Sequence, residues 1–239
     1  MIDTNFDFYS DASGGDPDSR SPTLRKYHKL LWSKSLPNGR VFELTTEKKG
    51  AYLYHYSDFG EFVLGSDAIV HSYRNQKRKK WLTLQIPEDV NELFNSCCNI
   101  ASYIIFPKNA VNGGQTINQS RGVNKFIDDR FDLTLECIRR FYANQSSPLY
   151  SVLVRYKSFF DLFEDFNGYI DFFFLQDLVD KNNGRIRFYL PFDDFKNPPK
   201  FSNTEDYISY KNGVMNFNSN RKSRIEEYVK LLCGKLISA

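Results

Sequence analysis

The pattern of apolar and polar positions differs between the two halves of the chain. Between Val41 and Gly65, branched and aromatic residues alternate with polar ones, as in strands that bury one face. From Ile127 to Tyr142 and again from Leu149 to Phe163, apolar residues recur every three or four positions, which is helical spacing. The chain therefore predicts an α+β fold, with a small mixed or antiparallel sheet in the first half packed on a helical second half.

Turn and cap residues give the boundaries of these elements. Ser21 before Pro22 is a helix start signal, and Gly, Pro and Asp crowd residues 11–18 as they do in loops. The predicted strands are 41–45, 51–56, 61–64, 100–106 and 186–190, and the predicted helices are 22–33, 87–95, 127–142, 149–163, 168–179 and 204–236. Because no internal repeat or low-complexity linker divides the chain, we expect a single domain over residues 1–239.

Composition excludes several classes of protein. Hydrophobic residues make up 41 % and charged residues 26 % of the chain, which rules out collagen-like, disordered and disulfide-scaffold proteins. The 22 Phe, 15 Tyr and 2 Trp predict a core built from rings.

No apolar run approaches a membrane span and no secretory signal opens the chain, so we expect a cytoplasmic protein with no membrane contact. The four cysteines and three histidines lack zinc-site spacing, and we predict reduced thiols and no metal site.

Charge is distributed in blocks, although the net charge is only +3. Residues 1–18 are acidic, 20–40 are basic, 74–80 are basic and 161–180 are acidic. Such blocks either create surface fields that steer ligands or neutralise one another in the fold.

The segment 113–122 joins a predicted strand to a predicted helix, a position where backbone donors often hold anions. In one interpretation, Arg121 grips a phosphate or carboxylate while Asn118 and Gln119 act as directional polar partners. In the other, Gly113 and Gly114 form a hairpin turn and Asn118 caps the helix that follows.

A second group lies on the predicted helix that follows. Arg130, Asp132, Glu136 and Arg139 form a dense set of charges, and Asp132 and Glu136 repel each other at helical spacing unless a cation is near. Arg130, Asp132 and Arg139 are therefore candidate ligand-binding residues and Glu136 a candidate catalytic residue. The alternative is an ordinary solvated helix face.

Three further groupings are candidates. Asp171 and Asp177 lie in a nearly all-apolar stretch, where burial gives a carboxyl the pKa of a catalytic acid, unless each is paired with an arginine. Asp16 and Asp18 are either Mg²⁺ ligands or solvated turn residues. Nucleic-acid contacts are predicted for the basic blocks through Arg25, Arg74, Arg78 and Trp81, with a solvated basic surface as the alternative.

Several motifs resemble those of a family of uncharacterised bacterial proteins. The similar stretches are Asp7–Asp11, Gly15–Asp18, Ser21–Arg25, Leu36–Gly39, Asp129–Arg139 and Gly168–Asp177, and the likeness covers most of the chain. The resemblance implies a single bacterial cytoplasmic domain. It implies no activity, ligand or catalytic residue.

The leading functional hypothesis is a protein that binds a phosphate-bearing ligand, a nucleotide or a nucleic acid, through an arginine cluster of Arg121, Arg130 and Arg139. One alternative is an enzyme that acts on such a ligand with a carboxylate as general acid or base. The other is a protein-interaction module with an aromatic face. The cofactor is unknown at this point.

Overall fold

The computed structural model describes residues 2–237 of the backbone and side chains up to residue 232. Its strands are β1 (Lys34–Ser35), β2 (Val41–Phe42), β3 (Leu53–Ser57), β4 (Gly60–Ala68) and β5 (Tyr103–Pro107). Its helices are α1 (Phe8–Asp11), α2 (Pro17–Arg20), α3 (Pro22–Trp32), α4 (Lys80–Thr83), α5 (Pro87–Ser96), α6 (Ile117–Val123), α7 (Phe131–Tyr142), α8 (Tyr150–Arg155), α9 (Lys157–Phe160), α10 (Phe166–Phe172) and α11 (Thr204–Ile237). Short 3-10 turns occupy Lys77–Lys79, Ile100–Ser102, Asp161–Phe163 and Gln176–Leu178.

The strands form two antiparallel sheets. β4 lies between β3 and β5, with Leu64 opposite both Leu53 and Pro107, and β1 pairs separately with β2. Every residue of β5 is buried, so both faces of that strand are covered by other elements. The fold is α+β, as predicted, and the sheets within the described residues are antiparallel rather than mixed.

Helix α3 forms where the local signals place it. The Ser21 hydroxyl accepts a hydrogen bond from the Leu24 amide at 3.0 Å, and Pro22 occupies the first turn, where its missing N–H costs nothing. Leu24, Tyr27 and Leu31 are buried on one face. The helix therefore places its basic residues beside this buried apolar face.

Other predicted elements differ from the observed ones because the backbone breaks at irregular positions. The helix predicted over 149–163 is divided into α8, α9 and a 3-10 turn. The helix predicted over 168–179 ends at Phe172, and Phe174 takes a left-handed φ of 55° that stops a helix. The strand predicted over 186–190 reduces to one bridge between Val179 and Ile186. The loop predicted over 11–18 contains the last residue of α1 and the first two residues of α2.

The core consists of rings packed at inclined angles, as the composition predicts. Trp32 is fully buried, with its ring centroid 5.0 Å from that of Phe173, and Phe163 contacts Phe173 at 5.3 Å. Within the described side chains, Cys97, Cys98 and Cys137 are free thiols, while the side chain of Cys233 lies outside them. No helix in residues 2–237 has both the length and the apolar character that crossing a bilayer requires.

Helix α11 connects the end of the chain to the first half. The Arg221 guanidinium is fully buried and donates to the carbonyls of Ala101, Tyr103 and Phe173 at 2.6–3.1 Å. The helix runs without a break through Gly213, where a methyl group would come within 3.0 Å of Tyr189 Cδ1. The glycine therefore makes room for a ring and does not interrupt the helix.

Candidate functional site

Arg121, the first arginine predicted to bind an anion, is fully buried and is already paired with a carboxylate. It forms an ion pair with Asp67 on β4, and its Nε donates to the Thr134 hydroxyl at 2.9 Å. Its guanidinium carbon lies 5.6 Å from the centre of the Phe131 ring. Burial raises the pKa of Asp67 to about 6 against the opposing effect of Arg121. Arg121 therefore joins α6, β4 and α7 instead of facing a ligand.

The other two arginines of the predicted cluster end on different carboxylates. Arg130 holds Asp132 through two hydrogen bonds of 3.1 and 2.5 Å, and both side chains are buried. Arg139 holds Glu136 at 2.8 and 2.9 Å. The expected pocket of converging guanidinium groups is therefore not formed. Glu136 also accepts from Arg140 at 2.7 Å, so this candidate catalytic carboxylate is enclosed by two cations.

The polar residues of the 113–122 segment have divided roles. Gln119 forms a capping box with Thr116 at the start of α6, so the helix has a cap, as the second interpretation expects, but the capping residue is Thr116 and not Asn118. Asn118 donates from Nδ2 to the Ser66 carbonyl at 3.1 Å. Its Oδ1 is buried without a hydrogen-bond partner among the described residues, and Asn118 lines a cleft beside α2.

The two aspartates of the apolar stretch are not drawn into the aromatic interior as expected. Asp171 is exposed and accepts a hydrogen bond from Gln176 at 2.9 Å. Asp177 forms a two-bond ion pair with Arg224 on α11 at 2.6 and 3.1 Å, which is the paired alternative. They face different partners, and neither faces a cavity that we describe below.

The residues predicted to contact nucleic acid lie in three places. Arg25 faces a cavity beside α3, Arg74 stacks on the Phe94 ring at 3.8 Å, and Arg78 forms an ion pair with Asp128. Trp81 is 53 % exposed and, together with Arg78, lines a cavity separate from the one beside α3. The four residues therefore do not form one continuous patch around a single ligand.

The acidic loop acts mainly as a set of helix caps. Asp7 caps α1, Asp16 caps α2, and Asp11 accepts from the Ser21 hydroxyl and from the Thr23 amide. Across the residues that the structure describes, no group of three or more His, Cys, Asp or Glu side chains is placed to hold a metal ion. The Mg²⁺ alternative for Asp16 and Asp18 therefore lacks a third ligand of this kind.

A cavity of about 670 Å³ lies between α2, the first turns of α3 and the end of β5. We call it the basic cavity, because it is lined by five cationic side chains: Arg20, Arg25, Lys26, Lys29 and Lys108. Successive turns of α3 supply three of them, and the Lys108 side chain packs over Gly65, where a Cβ would come within 3.1 Å of Lys108 Cδ. None of the five forms an ion pair with a carboxylate in the described part of the chain.

A smaller cavity of about 330 Å³ lies next to the basic cavity and shares Ser19 and Lys108 with it. We call it the Asp18 cleft. Asp18 and Asn118 both line it. Burial, followed by the negative charge of Asp67, raises the pKa of Asp18 to about 7, and the hydrogen bond from Ser66 only partly offsets this. Asp18 is therefore a carboxyl group that exchanges its proton near neutral pH.

A directed chain of hydrogen bonds ends on Asp18. The Trp32 indole can only donate, so His28 Nδ1 must accept that bond, at 2.8 Å, and His28 Nε2 must carry the proton. Nε2 therefore donates to the Ser66 hydroxyl at 3.0 Å, and Ser66 donates to Asp18. Burial also lowers the pKa of His28 to about 3, so the ring stays neutral. His28 cannot deprotonate Ser66 in this arrangement, which excludes Ser66 as a serine nucleophile activated by His28.

The sequence comparison establishes the family. A model of a family of unknown function (DUF6994) matches residues 2–225, nearly the whole chain. The chain belongs to this family. A search of curated proteins and a search of solved structures each found no match. Membership confirms the resemblance to an uncharacterised family and assigns no chemistry to the cavities.

Sequence reasoning identified some parts of the two cavities and missed others. The basic block 20–40, which contains no acid, supplies four of the five cations. Lys108 was missed because no local pattern links the end of β5 to α3. The sequence predicted Asp18 as a Mg²⁺ ligand or a solvated turn residue. Its link to Ser66 and His28 was missed, because it joins residues 38 to 48 positions apart.

The aromatic face expected of an interaction module is not present in the described region. Most rings are buried in the core, and Tyr56 and Trp81 are the exposed large aromatic side chains there. They belong to different elements, β3 and α4. Two isolated rings do not make a broad apolar docking surface.

Proposed function

We propose that the protein binds a phosphate-bearing small molecule, such as a nucleotide, in the basic cavity. The observation that carries the proposal is the convergence of five cations on one concavity with no carboxylate among its lining residues. Like charges that face one another repel, and an anion between them removes that repulsion while gaining attraction from each. The predicted class of ligand is unchanged from the arginine-cluster hypothesis, but the proposed site is different.

The cavity combines a guanidinium group that is anchored by backbone carbonyls with the ammonium groups of lysines. Arg25 donates from Nε to the Tyr52 carbonyl at 2.5 Å and from Nη2 to the carbonyls of Thr46 and Ala51 at 2.8 and 3.0 Å. Its Nη1 makes no hydrogen bond within the described residues and is free to donate to a phosphate oxygen. Lys26 and Lys29 add point charges that adapt to the shape of the anion.

The dimensions suit a nucleotide-sized ligand. Pockets for small molecules commonly enclose about 300–1,000 Å³, and the basic cavity has about 670 Å³. The adjoining Asp18 cleft extends this space and offers the unpartnered Asn118 Oδ1 as an acceptor. We expect the phosphate groups in the basic cavity and the less charged part of the ligand toward Asn118.

Calorimetric titration with ATP and with pyrophosphate tests the proposal. We expect Lys29→Ala and Lys108→Ala each to weaken binding of either probe by about 10-fold, because each removes a charge-assisted contact. Lys181→Ala is the matched control, since Lys181 is exposed and does not line the cavity. Equal affinities in wild type and both lysine variants, or no binding of either probe, contradict the proposal.

A second candidate function is an enzyme that acts on the same ligand, and the Asp18 cleft is the observation that favours it. The proposed acid or base is Asp18, in place of Glu136, Asp171 or Asp177, because it lines a cavity that adjoins the basic one and its pKa is near 7.

Incubation of the protein with a panel of nucleoside triphosphates, followed by chromatography of the products, tests this candidate. We expect Asp18→Asn to reduce turnover by at least about 100-fold while ATP still binds. Absence of any product with the wild type, or equal turnover in the variant, excludes this role for Asp18.

A further inference from the structure

We infer that a second surface, separate from the basic cavity, binds single-stranded nucleic acid by stacking a base on Trp81. This surface is a cavity of about 370 Å³ between α4, the segment before α7 and the segment 198–201. We call it the stacking cavity. Its lining includes Arg78, Trp81, Lys125, Pro199 and Lys200. The inference goes beyond the proposed function, because it concerns a polymer and a different part of the molecule.

The first argument is the exposure of the indole. The two tryptophans of the chain have opposite environments, since Trp32 is fully buried and Trp81 is 53 % exposed. The backbone at Trp81 is anchored, because Leu82 and Thr83 are buried and the Trp81 carbonyl accepts a hydrogen bond from Gln85 at 2.6 Å. A large ring at the wall of a cavity is a platform on which a base stacks without regard to its sequence.

The second argument is the charge around that ring. Four cations and one acid line the cavity, and the acid, Asp128, is held by Lys79 at 2.5 Å and by Arg78. Lys125 and Lys200 are exposed and make no ion pair in the described part of the chain. Lys77 and Lys80, which are exposed and close to Trp81 in sequence, add positive charge to this part of the chain. Positive charge beside an unpartnered ring complements a strand that carries one phosphate for each base.

The third argument concerns which partner fits. A double helix keeps its bases stacked on each other, so the Trp81 ring is useful only with unpaired bases. A membrane interface also attracts Trp and Lys, but it needs a projecting apolar surface. Here the ring lines a concavity, and Leu84, which is 74 % exposed, is not part of its lining. Single-stranded nucleic acid is therefore the partner that the arrangement favours.

The two tryptophans provide the assay. Titration of the full chain with an oligothymidylate of about 12 nucleotides should quench the Trp81 fluorescence, while the buried Trp32 continues to emit. Binding measured by fluorescence anisotropy of a labelled oligothymidylate should be about 10-fold weaker in Trp81→Ala and near wild type in Trp81→Phe, which keeps a ring. Leu84→Ala is the matched control for loss of an exposed apolar side chain. We expect no change of affinity in it.

Three results would overturn the inference, in addition to the salt response described below. They are equal affinity in Trp81→Ala and wild type, equal affinity for a duplex of the same length, and a fluorescence change with anionic phosphatidylserine vesicles but none with the oligonucleotide. Affinity should also fall steeply with added salt, and a flat salt response is equally decisive against it. Lys29→Ala should leave oligonucleotide binding unchanged, so a failure here is distinct from a failure of the basic cavity. Circular dichroism confirms that each variant is folded.

Discussion

The cations around α3 and the arginines around α7 have the same charge but opposite surroundings. Arg121 and Arg130 are buried, and each is paired with a carboxylate. Lys26 and Lys29 face a cavity and pair with no carboxylate within the described residues. The comparison teaches that a cluster of charge in the sequence leaves cations available for a ligand only where the fold gives them no internal partners.

This difference has an energetic meaning. Removing one partner of a buried pair leaves the other charged in a medium that solvates it poorly, so such residues govern stability. Removing a cation from an unpaired group relieves repulsion and costs the fold little, so under the proposed function such residues should affect ligand affinity more than stability. Substitutions in the two regions should therefore separate stability from ligand affinity.

The largest effect is expected for Arg121→Ala. The change leaves Asp67 buried without its partner and removes the bond to Thr134, and we expect it to lower the free energy of unfolding by about 3–5 kcal/mol. Urea denaturation measures this. Arg139→Ala is the control, because its side chain is 30 % exposed and its loss should cost no more than about 1 kcal/mol. If Arg121→Ala instead keeps its stability and loses ATP binding, the comparison fails.

A smaller effect, opposite in sign, is expected for Asp18→Asn. The pKa of Asp18 is raised in the folded chain to about 7, so the folded protein holds this proton more tightly than the unfolded one. Stability from this group is present at low pH and is lost as the pH rises toward 7. We expect the variant to be more stable than wild type by about 1–3 kcal/mol above pH 7, with the difference shrinking toward about pH 4.

Denaturation with urea at several pH values measures the Asp18 effect. Asp171→Asn is the control, because it changes an exposed carboxylate. Asparagine keeps an oxygen that accepts the Ser66 hydrogen bond, so the variant retains the local geometry. A constant difference between variant and wild type across the pH range would show that the charge of Asp18 is not the cause.

The smallest effect is expected for Asp177→Asn. Its ion pair with Arg224 is partly exposed, with side chains 20 % and 34 % accessible, so solvent screens the attraction. We expect a loss of about 0.5–1 kcal/mol in the free energy of unfolding. Thermal denaturation at low and high salt measures this loss of stability, and the loss should become smaller as salt is added. A loss as large as that of Arg121→Ala would remove the distinction between buried and accessible pairs.

Local signals predicted those parts of the fold that local physics determines. Ser21 and Pro22 gave the start of α3, and Pro87 gave the start of α5, because a cap and a first-turn proline act within a few residues. The end of α10 was not predicted. Phe174 adopts a left-handed backbone conformation just after it, and a phenylalanine in the sequence does not indicate that conformation. Tertiary packing, which the apolar period does not encode, determines such breaks.

The candidate sites were predictable to a smaller extent. The basic block contains Arg25 and three other cations that line the basic cavity, and the run ending at Trp81 contains three residues that line the stacking cavity. The pairing of Arg121 with Asp67 was not predictable, because the two residues are 54 positions apart. Whether a charge is free depends on such distant partners, and a single sequence does not supply them.

The position of α11 constrains when the protein can become native during synthesis. This last helix supplies the donors for carbonyls of residues 71, 72, 101 and 103, through Tyr210, Tyr207 and Arg221. Until residues 204–225 have been synthesised, those groups in the first half have no such donors. The first half should therefore reach its native state only after this segment has been made, and it should fold slowly, since these contacts join residues more than a hundred positions apart.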